Sequence, residues 1–165
     1  LLIEKGKDFN LSNCGMHAMD IMRMESGFLH WGHDISPEEN QFQAGLSFTI
    51  SSKKEVDFIG KQALKKIKQE KQKSRFTMFT LKESEPGKPL LLHDEPIYDG
   101  EKIIGRSTSG NYSFNFKKNL VFGYINNNFS NEELQNKNLF IEVEKKKYPI
   151  ESISKPLKQT NFKNN

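Results

Sequence analysis

The second half of the chain alternates apolar and polar residues over short stretches. This two-residue period is typical of half-buried strands, and it recurs in five segments: RFTMFTLK, IIGRSTSG, LVFGYIN, LFIEVEKK and YPIESIS. Turn-forming residues separate the segments, as in EPGKP, YDG, NNN and NKN. Five short strands at this spacing predict a small antiparallel β-barrel or sandwich.

The first part of the chain has helical periods instead. Residues 1–9 predict a short helix that ends near Gly6 or Asn10. In GMHAMDIMRMESG the methionines recur at three-residue spacing, and Gly27 follows where a C-terminal cap belongs. This stretch therefore predicts a second helix.

Two further elements are predicted before the strand-rich half. AGLSFTI, at residues 44–50, alternates and predicts a strand. IGKQALKKIKQEKQK predicts an amphipathic surface helix with lysines on one face and, on the other, Ile59, Ala63, Leu64 and Ile67. The lysine-rich KQEKQKS then forms a hinge between an α/β unit of residues 1–73 and a β domain of residues 74–165. The predicted fold class is α+β.

Composition narrows the possible functions. The chain has 165 residues and a net charge of +4, with 25 basic and 21 acidic residues. Only three of the basic residues are arginines, and the lysines are scattered among glutamates, so we expect a solvated surface and no nucleic-acid partner. No apolar run has the roughly 18 residues of a membrane span, so we expect no membrane partner.

The single cysteine and the first residues bear on location and completeness. Cys14 alone cannot form an internal disulfide, and it fits a reducing compartment, so we expect a cytoplasmic location. The opening LLIEKGKDFNL has no initiator methionine and resembles the end of a helix already under way. We therefore expect the chain to be a piece of a longer protein or the partner of another chain.

The candidate chemistry lies in IMRMESGFLHWGHDIS, residues 21–36. Its two histidines and Asp34 follow a glycine in an arrangement that fixes no metal geometry, and no nucleophile motif accompanies them, so we predict neither a metal site nor a catalytic residue. Arg23 is more informative, because a half-buried arginine needs an anion. That anion is either a carboxylate of the fold or a ligand. Glu25 lies two positions away and does not face Arg23 on a helix.

The order of the motifs points to a family. MDIMRMESGFLHWGHDI resembles the pattern L-R-x-E-x-G-x-x-x-x-G-x-D of the aminomethyltransferase superfamily, which includes the T-protein of the glycine cleavage system and the folate-binding C-terminal regions of dimethylglycine and sarcosine dehydrogenases. Three further segments resemble the family in its order: FQAGLSFTI, DFIGKQALKK and EPIYDGEKIIGRSTSGNYSFNFKKNLVFGYI. HWGHDI and the tyrosine of SGNY favour the dimethylglycine and sarcosine dehydrogenase branch.

The resemblance implies a fold, a cofactor and site residues. It implies the C-terminal part of a folate-binding α/β domain followed by a Greek-key or jelly-roll-like barrel, with tetrahydrofolate as cofactor and a flavin only on a missing domain. Arg23 matches an arginine that lines the folate cavity, and Glu25 matches a glutamate that we expect to be structural. Phe162, in QTNF, stands where the family has a ligand-contacting tyrosine. HWGHD is expected to be a turn leading to the next strand, with Trp31 as a packing anchor and its histidines as turn residues.

Two functions remain open at this point. In the first, the chain is the C-terminal portion of a tetrahydrofolate-dependent aminomethyltransferase-like protein. The family's catalytic aspartate lies upstream of the matched region, so the chain would need its N-terminal half or a partner subunit, in a homo- or hetero-oligomer. In the second, it is a non-catalytic folate-binding or assembly module.

Overall fold

The computed structural model of the chain describes residues 1–51 and 56–158. Its helices are α1 (Leu2–Gly6), followed by a 3₁₀ turn over Lys7–Phe9, α2 (Met16–Glu25), α3 (Lys61–Gln69) and α4 (Asn131–Gln135). The first three were predicted from the sequence and are confirmed. The third begins at Lys61 instead of Ile59, because Gly60 has a φ of 90° and cannot continue a right-handed helix. No helix in these two ranges is long and apolar enough to cross a membrane.

The predicted strand over residues 44–50 is wrong. This segment contains a turn and a 3₁₀ helix over Ser47–Thr49. Gly45 has a φ of 71°, outside the range of a strand. Backbone hydrogen bonds also close locally, from the Leu46 amide to the Gln41 carbonyl at 2.8 Å and from the Thr49 amide to the Leu46 carbonyl at 3.0 Å. The alternation of AGLSFTI therefore reflects neither a ladder nor a buried face.

Six strands close into the predicted antiparallel barrel. They are β1 (Ser74–Leu81), β2 (Pro96–Asp99), β3 (Lys102–Ser113), β4 (Lys118–Asn126), β5 (Leu139–Val143) and β6 (Lys146–Ile153), in the spatial order β1-β4-β3-β2-β5-β6. Strands β2, β3 and β4 are consecutive neighbours and β1 lies beside β4, which is a Greek key. The barrel begins at Ser74, while the division into units of residues 1–73 and 74–165 stays a prediction.

The sequence pattern missed β2 and α4. The pattern predicts only a turn at YDG, because the four-residue strand before Gly100 starts with a proline and includes the Tyr-Asp of that turn signal. Helix α4 follows a row of asparagines and is fixed by a capping box, in which Ser130 and Glu133 exchange side-chain-to-backbone hydrogen bonds. The predicted strand LFIEVEKK is shorter than expected, since Glu144 and Lys145 have φ values of 50° and 63° and form the hairpin turn between β5 and β6.

Successive residues of the barrel strands contribute side chains to two different apolar clusters. The barrel interior is filled by side chains such as Phe79, Ile97 and Ile141, each 0% exposed. The second cluster joins α2 to the outside of the barrel through Met24, Leu120 and Phe122, with partly buried neighbours Ile21, Leu29, Phe76, Met78 and Leu157. Strand periodicity explains the division, because successive side chains of β1 point to opposite faces. The second cluster holds the candidate site against the barrel.

Candidate functional site

The C-terminus of α2 fixes the position of Arg23. The Gly27 amide donates to the Met24 carbonyl at 3.1 Å and the Phe28 amide donates to the Arg23 carbonyl at 2.9 Å, which is the bond pattern of a Schellman cap. Gly27 has the positive φ, 75°, that this cap requires. The predicted capping glycine is thereby confirmed. The cap reverses the chain so that the following turn faces back toward the last turn of α2.

Oxygen atoms surround the guanidinium of Arg23. Its Nε donates to Asp20 Oδ1 at 2.9 Å, and its Nη2 donates to Ser109 Oγ at 2.7 Å. Its Nη1 donates to the Phe28 carbonyl at 3.2 Å and to the carboxylate of Asp34. The sequence predicted that Arg23 pairs either with a carboxylate of the protein or with a ligand. The first alternative is confirmed, since the carboxylates of Asp20 and Asp34 both contact the guanidinium. A ligand for Arg23 stays a prediction.

Asp34 connects this helix end to the barrel. Its side chain is completely buried, and its oxygens accept hydrogen bonds from Thr108 Oγ1 at 2.5 Å, from Ser109 Oγ at 2.8 Å and from the His30 amide at 2.9 Å. Sequence reasoning missed the two hydroxyl donors, although both lie in the quoted GRSTSG. Their partner is more than 70 residues away, and no local pattern indicates such a pair.

Glu25 makes a separate connection. It is 2% exposed, and its carboxylate accepts from Ser113 Oγ at 2.6 Å and from Asn115 Nδ2 at 3.0 and 3.2 Å. Its carbonyl accepts from the Lys158 amide at 2.8 Å. The structural role expected for Glu25 fits these contacts, since it fastens α2 to the β3–β4 hairpin. Its role in cofactor binding stays a prediction.

A cleft of about 380 Å³ opens beside Arg23. Side chains of α2, of the turn after it, of the segment before β2 and of β3 line the cleft, and they include Met16, Met19, Asp20, Leu29, Leu91, Leu92, Thr108 and Ser109. All four histidines of the chain also line it: His17, His30, His33 and His93. The rings of His30 and His33 stack with centroids 4.6 Å apart, and the ring of His93 stands edge-on to His33 at 6.3 Å. Sequence reasoning missed His17 and His93.

An ion pair fixes the outer side of the histidine group. His93 Nδ1 and Asp94 Oδ2 are 2.9 Å apart, and Arg106 Nη1 donates to Asp94 Oδ1 at 2.5 Å. The hydrogen bond with His93 is the largest cause that holds the pKa of Asp94 below its ordinary value, and Arg106 adds to it. All three side chains are more than half exposed, so solvent screens these interactions.

Two expectations for HWGHD need correction. The side chain of Trp31 is 65% exposed, so the prediction of a packing anchor is wrong. His30 and His33 do lie in a turn, closed by the Asp34 amide donating to the His30 carbonyl at 2.8 Å. Within the described ranges, however, the next strand after this turn is β1 at Ser74. The turn places the buried carboxylate of Asp34 and does not lead directly into a strand.

Two predictions concern ligands, one at Phe162 and one for a metal ion. Phe162 lies outside the described residues, so its proposed contact with a cofactor stays a prediction. In residues 1–51 and 56–158, no group of three or more histidine, cysteine, aspartate or glutamate side chains is arranged to hold a metal ion.

Comparison with known proteins identifies the family. The model of the glycine cleavage T-protein C-terminal barrel domain matches residues 75–158, and the model of the GCVT N-terminal domain matches residues 1–54. The chain belongs to the glycine cleavage T-protein, or aminomethyltransferase, family. The resemblance predicted from the motifs is therefore confirmed.

Relatives show how much of such a protein the chain represents. It is 33% identical over 156 residues to human mitochondrial dimethylglycine dehydrogenase, and this alignment covers 94% of the chain and 17% of the dehydrogenase. It is 33% identical over 124 residues to the aminomethyltransferase of Symbiobacterium thermophilum, covering 75% of this chain and 32% of that protein. The chain thus spans about a third of one relative and less of the other.

A solved structure shows the same fold. The glycine cleavage system aminomethyltransferase T from Bartonella henselae aligns with a TM-score of 0.78 at 23% identity, over 94% of this chain and 42% of that chain. At this identity the likeness concerns the fold alone.

Proposed function

We propose that the chain forms one wall of a tetrahydrofolate site in an aminomethyltransferase-type protein, which transfers a one-carbon unit from an amine donor. The donor would be the glycine cleavage intermediate, or dimethylglycine or sarcosine. The observation that carries the proposal is the position of Arg23, the family's cavity arginine, in the wall of a cleft of about 380 Å³. A cleft of this size suits a cofactor-sized ligand.

The proposed work of this chain is binding and orientation. Asp34 and Ser109 hold the guanidinium of Arg23 in one position, and a planar, fixed guanidinium suits a polarised carbonyl of the ligand. Glu25 supports the same helix from the β3–β4 hairpin, and Phe162 is proposed to contact the cofactor from the C-terminal segment. We assign no catalytic residue to this chain. A flavin belongs to the proposal only if a further domain supplies it, and a reducing, cytoplasmic location stays part of the proposal.

A partner completes the proposed site. Large apolar side chains lie exposed along the first 59 residues, with exposed fractions of 82% or more at Leu1, Leu2, Phe9, Phe48 and Ile59. Exposed apolar surface on this scale marks an interaction site. The proposed occupant is the remainder of a GCVT N-terminal domain, on the same precursor or on a separate subunit, and in its absence a second copy of this chain. A clean monomer by light scattering at micromolar concentration would argue against this partner surface.

A second function is supported by one observation. Each nitrogen of the Arg23 guanidinium already has an oxygen partner within the protein. That arrangement suits a structural hub as well as a ligand anchor, so the alternative is a non-catalytic folate-binding or assembly module. Adding the complementary N-terminal portion of a relative discriminates the two, because only the first function predicts one-carbon transfer from an amine donor in the mixture.

Titration calorimetry with 5-formyltetrahydrofolate tests the proposal directly. Micromolar binding by the 165-residue chain, lost in Arg23→Ala, is the expected result. Arg75→Ala is the matched control, because Arg75 lies on β1 and outside the lining of the cleft. Circular dichroism must show that both variants keep the fold of the parent. Absence of binding both by the folded parent and by its mixture with the complementary portion would reject the proposal.

A further inference from the structure

The charge of Arg23 is already balanced inside the protein. Asp20 Oδ1 lies 2.7 Å from its Nη2, and the fully buried carboxylate of Asp34 contacts its Nη1. A ligand carboxylate that used Arg23 would have to displace one of these two carboxylates. Exchange of one anion for another gains little, because the guanidinium loses a charge-assisted hydrogen bond for each one that it forms.

Apart from Arg23, the histidines are the side chains in the lining of the cleft that can carry a positive charge. We call His30, His33 and His93 the histidine shelf; their rings form one continuous group through His33, as the centroid distances of 4.6 and 6.3 Å show. Among the described residues, the one hydrogen bond from these three rings is that of His93 with Asp94. The ring nitrogens of His30 and His33 are therefore available to a ligand in the cleft.

We propose that the histidine shelf, and not Arg23, binds a carboxylate group of the ligand in this cleft. This inference rests on the proposed function, and for a folate the carboxylates concerned are those of its glutamate end. Imidazole and imidazolium N–H groups donate to a carboxylate, and the protonated ring adds its charge. The apolar side chains of Met16, Met19 and Leu91 line the same cleft and suit the rest of the ligand.

The surrounding charges make this recognition dependent on pH. The carboxylates that face the shelf or adjoin it are Asp20, Asp34, Glu38, Glu39 and Asp94, and the guanidiniums are Arg23 and Arg106. A neutral shelf therefore presents an excess of negative charge to an incoming carboxylate. Protonation of the shelf offsets that excess, so affinity for the ligand rises as the pH falls.

Resonances of the histidine rings in the NMR spectrum of the 165-residue chain test the shelf without requiring folate binding. The probe is N-(4-aminobenzoyl)-L-glutamate, which carries the carboxylates but no pterin. At about pH 6 it should shift the ring signals of His30, His33 and His93, and at about pH 8 it should not. His33→Gln interrupts the shelf at its middle ring and should abolish the response, while Lys118→Gln, which removes a cation on β4 outside the lining of the cleft, should keep it. No shift, or an equal shift in His33→Gln, overturns the inference.

Calorimetry with 5-formyltetrahydrofolate separates this inference from the proposed function. Binding should be about tenfold tighter at about pH 6 than at about pH 8, as one charge-assisted hydrogen bond predicts, and His33→Gln should remove the difference. Folate affinity that is independent of pH overturns the shelf and leaves the proposed function intact. A shelf that responds to N-(4-aminobenzoyl)-L-glutamate, in a chain that binds no folate either alone or mixed with the complementary portion, supports the inference and rejects the proposed cofactor.

Discussion

Asp34 and Thr108 lie 74 residues apart in the chain, and Thr108 Oγ1 donates a buried 2.5 Å hydrogen bond to Asp34 Oδ1. The same carboxylate accepts from Ser109 and pairs with Arg23. One buried anion thus fixes the end of α2, the turn that follows it and the middle of β3. The position of Arg23 therefore depends on the fold of the barrel through Asp34 and through its own hydrogen bond to Ser109.

Asp34→Asn should destabilise the protein strongly. The amide keeps the size of the side chain but removes the charge that balances Arg23, and its NH₂ faces hydroxyls that must donate to an acceptor. We expect a loss of about 2–4 kcal/mol in the free energy of unfolding, measured by urea denaturation. Asp94→Asn is the matched control: it also breaks a pair with an arginine, but Asp94 is 59% exposed, and we expect a change under about 1 kcal/mol. Equal losses in the two variants would contradict a special role for Asp34.

Local patterns were sufficient to predict part of this site. The spacing in α2 and the glycine at its end predicted the helix, its cap and the need of Arg23 for an anion. The same reasoning did not identify Ser109 or Thr108 as partners, because contacts over more than 70 residues depend on how the barrel closes. The histidine shelf was missed for the same reason, since His93 lies 60 residues from His33 along the chain.

The strands were predictable where a two-residue period had room to repeat. The twelve residues of β3 and the nine of β4 carry such a pattern, whereas the four residues of β2 begin with Pro96 and end beside Gly100. Alternation also predicted a strand wrongly at residues 44–50. There Gly45 has a φ of 71°, and the backbone forms local hydrogen bonds instead of pairing with another strand. Short alternating segments near glycine are therefore weak evidence for a strand.

Glu25 and Ser113 should be energetically coupled. Their side chains form a buried 2.6 Å hydrogen bond between α2 and the end of β3. We expect Glu25→Gln and Ser113→Ala each to lower the free energy of unfolding, with a coupling energy of about 1 kcal/mol in a double-mutant cycle. Arg75 and Asn131 offer a control pair, since their 2.9 Å hydrogen bond is exposed and should give a smaller coupling. Additive effects at Glu25 and Ser113 would contradict the fastening role.

Gly105→Ala should disrupt the pairing of β3 with β4. A Cβ at Gly105 would lie 2.1 Å from the Tyr124 carbonyl oxygen and 2.8 Å from the Ile125 Cα, and both are backbone atoms that cannot rotate away. We expect a loss of at least about 2 kcal/mol in the free energy of unfolding. Gly15→Ala is the control, because a Cβ there meets nothing within 4 Å and its φ is −80°. The two variants should differ clearly in their urea midpoints, and similar midpoints would contradict the steric argument.

The capping box of α4 should give this short helix a dependence on pH. The backbone hydrogen bond from Ser130 is the largest cause that lowers the pKa of Glu133, and the side-chain hydrogen bond of Ser130 adds to it. Because the folded pKa lies below the unfolded one, the cap stabilises α4 above the ordinary titration range of glutamate and is lost as the pH falls through the folded pKa. Carbon-detected NMR titration of Glu133 should show the lowered pKa in the parent and a partial return toward the ordinary value in Ser130→Ala. A Glu133 pKa unaffected by Ser130→Ala would contradict the side-chain contribution.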